Sequence, residues 1–336
     1  MHFFRKTNID FIGKRRTYYI VSIVITLAGI LFALIKGVEF GIDFAGGTEV
    51  QLQFHKNAAI EQVRSALDQA GFKGAEVKYY GKDETGILIR VRDGAVGAQA
   101  AETTKSVLAA IYKGFPDDHP LLLQEQHIGP KIGAELQKKA LLAVFFTCLV
   151  ILIYLAFRFR FVYGLGAVIA IVHDVLVAFA FAVIFNGLVP WLNLEMNSTM
   201  LAAFLTIVGF SVNDTVIIFD RIREDQKKYK GRSLKEIMNR AINETLPRTI
   251  ITSGTVFLTL IVLFIGGGEV LRGFAFTMLV GVITGTYSSI FVASAIAYDW
   301  LERGKKSTAT SDSRSISDSS NGGSRAPKSK KVAATA

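Results

Sequence analysis

Apolar residues in this chain gather into blocks of similar length, separated by polar segments of two kinds. The blocks lie at about 17–35, 140–157, 162–185, 196–219, 249–265 and 274–297. Each is close to the ~20 residues a helix needs to cross a hydrocarbon core, so six spans are predicted. Short polar segments rich in Lys and Arg precede the first block (1–16), join the second to the third (Arg158, Arg160), and run from Arg221 to Arg248 before the fifth. Basic segments beside spans face the cytoplasm, which predicts two cytoplasmic termini and puts residues 38–138 on the far side. The loop 186–195 holds Pro190, Trp191 and Glu195 and no Lys or Arg, as an external loop should, with Trp191 a candidate interface anchor.

Residues 38–138 follow different periods. Gly41-Ile-Asp-Phe-Ala-Gly-Gly47-Thr is rich in turn formers and leads into the alternating run Glu49–Phe54, a half-buried strand. Ile60, Val63, Leu67 and Ala70 share one helical face, and so do Thr104, Val107, Leu108 and Ile111. Residues 76–80, 87–92 and 121–127 read as strands, the first two joined by a turn at 81–86. The order β-α-β-β-α-β is that of a ferredoxin-like unit, which fixes no function by itself. The fold class expected is therefore an α-helical integral membrane protein of six spans, with a periplasmic α+β ferredoxin-like domain between spans one and two. Ser233-Leu-Lys-Glu236 is a capping box that opens a separate amphipathic helix before span five.

Composition narrows the classes further. Of 336 residues 51% are hydrophobic, too many for an ordinary soluble chain of this length. The net charge of +10 invites a nucleic-acid reading, but the cations cluster beside the apolar blocks as topology signals do. Membrane lipid is the expected partner and nucleic acid is not. The single Cys148 sits in an apolar block, so no disulfide framework is expected. His119 and His127 lack further ligands at metal spacing, and no metal or cofactor is expected. The first block has basic flanks and no small-residue cleavage site, so it should stay as an anchor. Residues 303–336 are mostly Lys, Ser, Ala and Gly, and should form a disordered basic cytoplasmic tail.

The candidate chemistry lies inside the spans. Asp214 stands six residues before the aqueous exit at Asp220, roughly 9 Å deep at about 1.5 Å per residue. A carboxylate at membrane depth costs about 2.5–3.5 kcal/mol on insertion scales, which makes it a functional hypothesis by default. The alternative is a carboxylate that snorkels to the interface or caps a neighbouring helix. Asp174 lies about eleven residues into span three; it reads either as a second proton-path group or as an interhelical bond. Arg248, at the mouth of span five, is long enough to reach toward Asp214, or serves as a positive-inside anchor. In span six, Thr277, Gly281, Gly285, Ser289, Ala293 and Ala297 recur every four residues, a small-residue stripe that lets another helix approach closely. Two carboxylates on consecutive spans also evoke an intramembrane aspartyl protease, but these are offset in depth and lack Gly-rich flanks. No Gly-Lys-Ser/Thr phosphate loop is present, which argues against ATP as fuel. The residues alone thus lead to a proton-coupled transporter subunit with no catalytic residues, not an enzyme. A non-transporting scaffold, aiding channel stability or membrane insertion, is the alternative.

Seven motifs in order carry a resemblance: Gly41-Ile-Asp-Phe-Ala-Gly-Gly-Thr48, Val172-His-Asp-Val175, Ser211-Val-Asn-Asp-Thr-Val216, Phe219-Asp-Arg-Ile-Arg-Glu224, Thr245-Leu-Pro-Arg-Thr249, Gly267-Gly-Glu-Val-Leu-Arg-Gly273 and Gly285-Thr-Tyr-Ser-Ser-Ile-Phe-Val-Ala293. Together they make the chain resemble the SecF subunits of the SecD/SecF family, within the resistance-nodulation-division group of proton-driven transporters. The resemblance implies a SecD partner of the same six-span plan, work beside the SecY–SecE–SecG channel in the bacterial inner membrane, and a translocating polypeptide as cargo pulled by the proton motive force. It also implies that Asp214 and Arg248 lie on the proton path. The basic tail is outside the family's pattern.

Overall fold

The computed structural model describes residues 7–80, 85–91, 100–159, 161–186, 188–189 and 192–304. The start of the turn at 81–86, Arg160, Pro190, Trp191 and the tail from 305 lie outside the described residues. The first span is α1 (Arg15–Lys36). After it come a short helix α2 (Ile42–Ala45), strand β1 (Gly47–Gln53), helix α3 (Ile60–Gln69), strands β2 (Glu76–Tyr80) and β3 (Gly86–Val91), helix α4 (Ala100–Gly114) and strand β4 (Leu121–Ile128). The remaining spans are α5 (Pro130–Arg158), α6 (Phe161–Phe185), α7 (Ser198–Lys228), α8 (Leu234–Gly266) and α9 (Gly268–Ser288). The sixth span continues beyond α9 through a π-helical turn, Ser289–Ala293, and stays helical to Gly304. Among the described residues six helices are therefore long and apolar enough to cross a membrane, as the blocks predict.

The four strands form one antiparallel sheet in the order β2-β3-β1-β4. Alternation along β1 and β3 sends Val50, Leu52, Ile87 and Ile89 to one face, where Val63, Leu67, Val107 and Ile111 of α3 and α4 bury them. Ala70 is exposed, not inward, because α3 ends at Gln69 and Ala70 is already its cap. The other sheet face is polar and turned toward the bundle. The glycine pair at its entry is conformationally required: Gly46 and Gly47 have φ of 75° and 127°, and a Cβ on Gly46 would stand 2.8 Å from Pro130 Cα. That close approach seats α2 on the start of α5, while Asp43 of α2 accepts from Ser198 N (2.8 Å) at the start of α7.

Three helices outrun their expected lengths. α5 begins ten residues early, at Pro130, whose missing N–H is harmless in a first turn. α7 continues nine residues past position 219 into its charged segment. The capped amphipathic helix and span five, expected as two elements, are one helix, α8, with Pro247 inside it. Ser233 Oγ does accept from Glu236 N (3.2 Å), as the capping box predicts. An interior proline costs about 3 kcal/mol. Burial on both sides of it, by Leu234, Ile237, Met238, Ala241 and Ile242 before and Leu260 after, outweighs that cost.

The sixth span is the centre of the bundle, packed against α6, α7 and α8. All six members of its small-residue stripe are buried. A strict four-residue repeat drifts roughly 40° per step around an α-helix of 3.6 residues per turn. The wider π turn at Ser289–Ala293 takes back part of that drift, so the stripe stays on the core side. Gly281 lies directly against Ile207 of α7, leaving no room for a Cβ; a Cβ on Gly285 would meet Ser211 Cβ at 3.4 Å, an ordinary contact. Gly281→Ala is therefore expected to destabilise the detergent-purified chain by about 1–3 kcal/mol, the usual range for overpacking. Gly285→Ala should be near neutral and Gly285→Leu strongly destabilising. Equal melting temperatures for Gly281→Ala and the parent would contradict this packing. By contrast α1 and α5 leave Ile20, Leu27, Leu34, Leu141, Phe145 and Phe157 exposed, as helix faces toward lipid or another span do.

Candidate functional site

Asp174 and Asp214 are both fully buried, and their surroundings differ. Asp174 enters from α6 and is closed off on every side. Its Oδ2 accepts from Ser211 Oγ of α7 (2.6 Å) and Ser288 Oγ of α9 (2.6 Å), and its Oδ1 shares a hydrogen bond with His173 Nδ1 (3.1 Å). Next to it Thr215 and Ser289 join hydroxyls at 2.9 Å, and each also bonds the Ser211 carbonyl, so α6, α7 and α9 are pinned together through short polar side chains.

Asp214 points the other way, toward α8. Its Oδ2 accepts from Ser253 Oγ at 3.2 Å, and Thr286 of α9 donates in turn to Ser253 Oγ (2.8 Å). Its Oδ1 is buried without a hydrogen-bond partner among the described residues. Asp214 is three residues beyond Ser211 on α7, about 4.5 Å nearer the end of the bundle opposite the sheet. Asp214 therefore lies about one turn along α7 from the residue that Asp174 bonds. The two carboxylates bond to different partners, and no hydrogen bond joins them among the described residues.

Arg248 is exposed, and no ion pair connects it to Asp214 among the described residues. The reason is helical phase. Thr245, Thr249 and Ser253 lie four apart, are all buried, and form the face of α8 toward α7. Arg248 is one position from Thr249 and so about 100° around the helix from that face. Gly281, Gly285 and Ser289 belong to the packing stripe already described. Sequence reading missed the hydroxyl set (Ser253, Thr286, Ser288, Thr215), because Ser and Thr in a span are common and only the paired helices show which ones meet.

A second charged cluster, which the sequence did not point to, lies where the sheet meets the bundle. Arg90 on β3 stands directly across from Glu49 on β1 and Glu76 on β2 in the strand register. Its guanidinium reaches Glu49 (2.9 Å), Glu76 (3.2 Å) and Glu195 (2.5 Å), the last from the loop that leads into α7. Lys78 of β2 joins Glu195 (2.8 Å) to Glu39 (2.6 Å), just after α1. Burial opposes the charge on Arg90 and on Lys78, but the Glu195 carboxylate outweighs it and raises both pKa values above their usual range. Burial likewise works against the Glu39 carboxylate, yet its hydrogen bond from Lys78 brings the pKa below the ordinary value. The backbone pairing of Met196 with Glu39 and Gly41 (both 2.9 Å) ties the same two segments.

Comparison with known proteins shows the family to which the chain belongs. Residues 108–303 match the model of the protein export membrane protein SecD/SecF C-terminal family, and residues 32–58 match that of the SecD/SecF GG motif. The chain is 40% identical over 303 residues to protein translocase subunit SecF of Rhodothermus marinus, covering 90% of this chain and 96% of that one. It is 38% identical to protein translocase subunit SecF of Calditerrivibrio nitroreducens, covering 87% and 94%. The crystal structure of SecDF, a translocon-associated membrane protein from Thermus thermophilus, superposes with a TM-score of 0.77 at 32% identity over 88% of this chain. The chain spans 39% of that longer protein.

Proposed function

Because the chain belongs to the SecD/SecF family of protein export membrane proteins, on the SecF side, we propose that it works with a SecD partner beside the SecY–SecE–SecG channel, using the proton motive force to promote polypeptide export. In this reading it resides in the bacterial inner membrane with both termini cytoplasmic. Residues 38–138 form a periplasmic ferredoxin-like domain, a reading that the strand order β2-β3-β1-β4 with two covering helices supports. The domains are a cytoplasmic N-terminus (1–16), span one (17–37), that periplasmic domain, the five-span region (139–302) and the tail (303–336).

One observation carries the proton-path reading: of the three fully buried aspartates among the described residues, Asp225 lies between Arg221 and Arg240 (3.7 Å each) and Asp174 has every oxygen hydrogen-bonded, whereas Asp214 has no ion pair and keeps an oxygen with no donor. A carboxylate bonded by side chains from two other helices has a structural task, because those bonds hold the helices in place. One held by a single hydroxyl can take a proton and release it with little rearrangement around it. Asp214 is thus the proton-carrying group, Asp174 the member that holds α6, α7 and α9 together, and Arg248 the nearby charge that favours release. The cycle needs no covalent chemistry and no cofactor from this chain. The test is proton-gradient-dependent release of a secreted protein from membrane vesicles carrying Asp214→Asn.

Orientation has its own test. Asn57 in the sheet domain and Lys228 at the end of α7 are both exposed. In a Cys148→Ser background, a Cys at position 57 is expected to react with an impermeant thiol reagent in spheroplasts, and one at position 228 only after lysis. The reverse pattern would invert the topology and with it the proton direction.

A further inference from the structure

We propose that the cleft at the end of the bundle opposite the sheet binds the phosphate headgroup of an anionic phospholipid. The cleft encloses about 650 Å³ among the start of α6, the turn between α7 and α8, and the last turns of the sixth span. Leu234 and Leu301 contribute to an apolar floor, Lys230 and Arg232 stand at its rim, and Trp300 forms one wall. Among the described residues, no Asp or Glu lines it.

The pairing of charges at this end of the bundle singles the cleft out. Arg221 and Arg240 are both bound to Glu244, and Lys235 to Asp10 (2.7 Å), whose carboxyl that lysine holds down at a pKa of about 2. Lys230 and Arg232 have no ion pair among the described residues, although they lie on the same turn. Arg232 is instead held over the ring of Tyr229 (5.4 Å), which Arg240 also covers (4.1 Å). That stack keeps the cation beside the cleft without neutralising it. The site therefore offers two uncompensated cations above an apolar floor, at the level where six spans end. A soluble phosphate would satisfy the cations and leave Trp300 and Leu301 uncovered; a phospholipid satisfies both with one molecule. Trp300 is half-exposed at the same level, the usual position of an indole at a headgroup boundary.

The chain has two tryptophans, so Trp191→Phe leaves Trp300 as the sole fluorescent reporter. The full chain with that substitution is reconstituted in phosphatidylcholine vesicles holding a small fraction of dibrominated phosphatidylglycerol or of dibrominated phosphatidylcholine. The anionic quencher is expected to reach half-maximal quenching at roughly tenfold lower mole fraction, as two cations near the surface allow. Lys230→Gln/Arg232→Gln should remove that preference. Lys14→Gln/Lys227→Gln, which takes the same charge from exposed positions outside the cleft, should keep it. Unchanged thermal unfolding of both double variants in detergent keeps the comparison one of binding. Equal quenching by the two lipids, or equal loss in both double variants, overturns the proposal. So does removal of the preference by inorganic phosphate, which would assign the cleft to a soluble phosphate instead.

Discussion

Asp214→Asn is expected to leave the chain folded and partnered while abolishing the gradient-dependent part of export. Asn has the size of Asp and its carbonyl oxygen can still accept from Ser253 Oγ, so the polar core keeps its shape. What it loses is the ability to bind and release a proton. If the chain were only a scaffold, the substitution would be neutral or stabilising, since a buried carboxylate at membrane depth has gone. The driving force is adequate for a machine: one charge crossing ~100 mV supplies about 2.3 kcal/mol, within the ~1–3 kcal/mol that typically couples two sites in a protein. Asp174→Asn should be milder, because the hydroxyls of Ser211 and Ser288 can turn to accept from an amide. Arg248→Ala separates contact from field. Since no ion pair forms with Asp214 in this conformation, a defect as large as that of Asp214→Asn, with a double variant no worse than either, would mean the two groups meet at another stage of the cycle. Full gradient-dependent release by Asp214→Asn vesicles would take this residue off the proton path and leave the scaffold reading standing.

How much of this was legible in the sequence depends on the range of the interaction. Spans, strands and amphipathic faces follow from local period, and their order survived in the structure because each block is long and bounded by charge or glycine. Where the reading failed, a long-range term had won. Pro247 marks a helix end by local rules, yet α8 runs through it because both flanks are buried by other helices. Arg248 has the right depth for Asp214 and the wrong azimuth, and azimuth is set by which face of α8 packs on α7. The small-residue stripe was visible as a repeat, but the π turn that keeps it in register has no signal in residue type. The polar positions of β1 were legible as one face of a half-buried strand. Nothing in their alternation says that this face is covered by the end of a helix bundle, where Arg90 and Glu195, far apart in sequence, become partners.

That covered face carries the second large effect. Arg90→Ala is expected to lower the stability of the purified chain by about 3–5 kcal/mol, the cost of removing one partner from a buried ion pair. Arg90 and Glu195 are 5% and 1% exposed, and with the guanidinium gone Glu195 and Glu49 would face each other with only Lys78 to offset them. Glu195→Gln should cost less, because Arg90 keeps Glu49 and Glu76. Arg90→Met combined with Glu195→Met should recover much of the loss, since the charges leave together and apolar side chains of similar reach take their place. The pH dependence has a definite sign. Glu39 has a depressed pKa, so its contribution is present above the unfolded carboxylate value and disappears as pH falls through the lowered one. Lys78 has a raised pKa, so its contribution is present below the unfolded lysine value and is lost only as pH rises beyond it. The cluster should therefore stabilise the chain evenly across neutral pH and weaken in acid. Its position makes the effect more than structural: Glu195 lies three residues before α7, the helix that carries Asp214. Loosening it should uncouple the sheet domain from that helix and reduce gradient-dependent export even where the variant still folds. Thermal unfolding of Arg90→Ala, Glu195→Gln and the double Met variant across pH measures the cycle, and an Arg90→Ala melting temperature equal to that of the parent would show that the cluster carries no such weight.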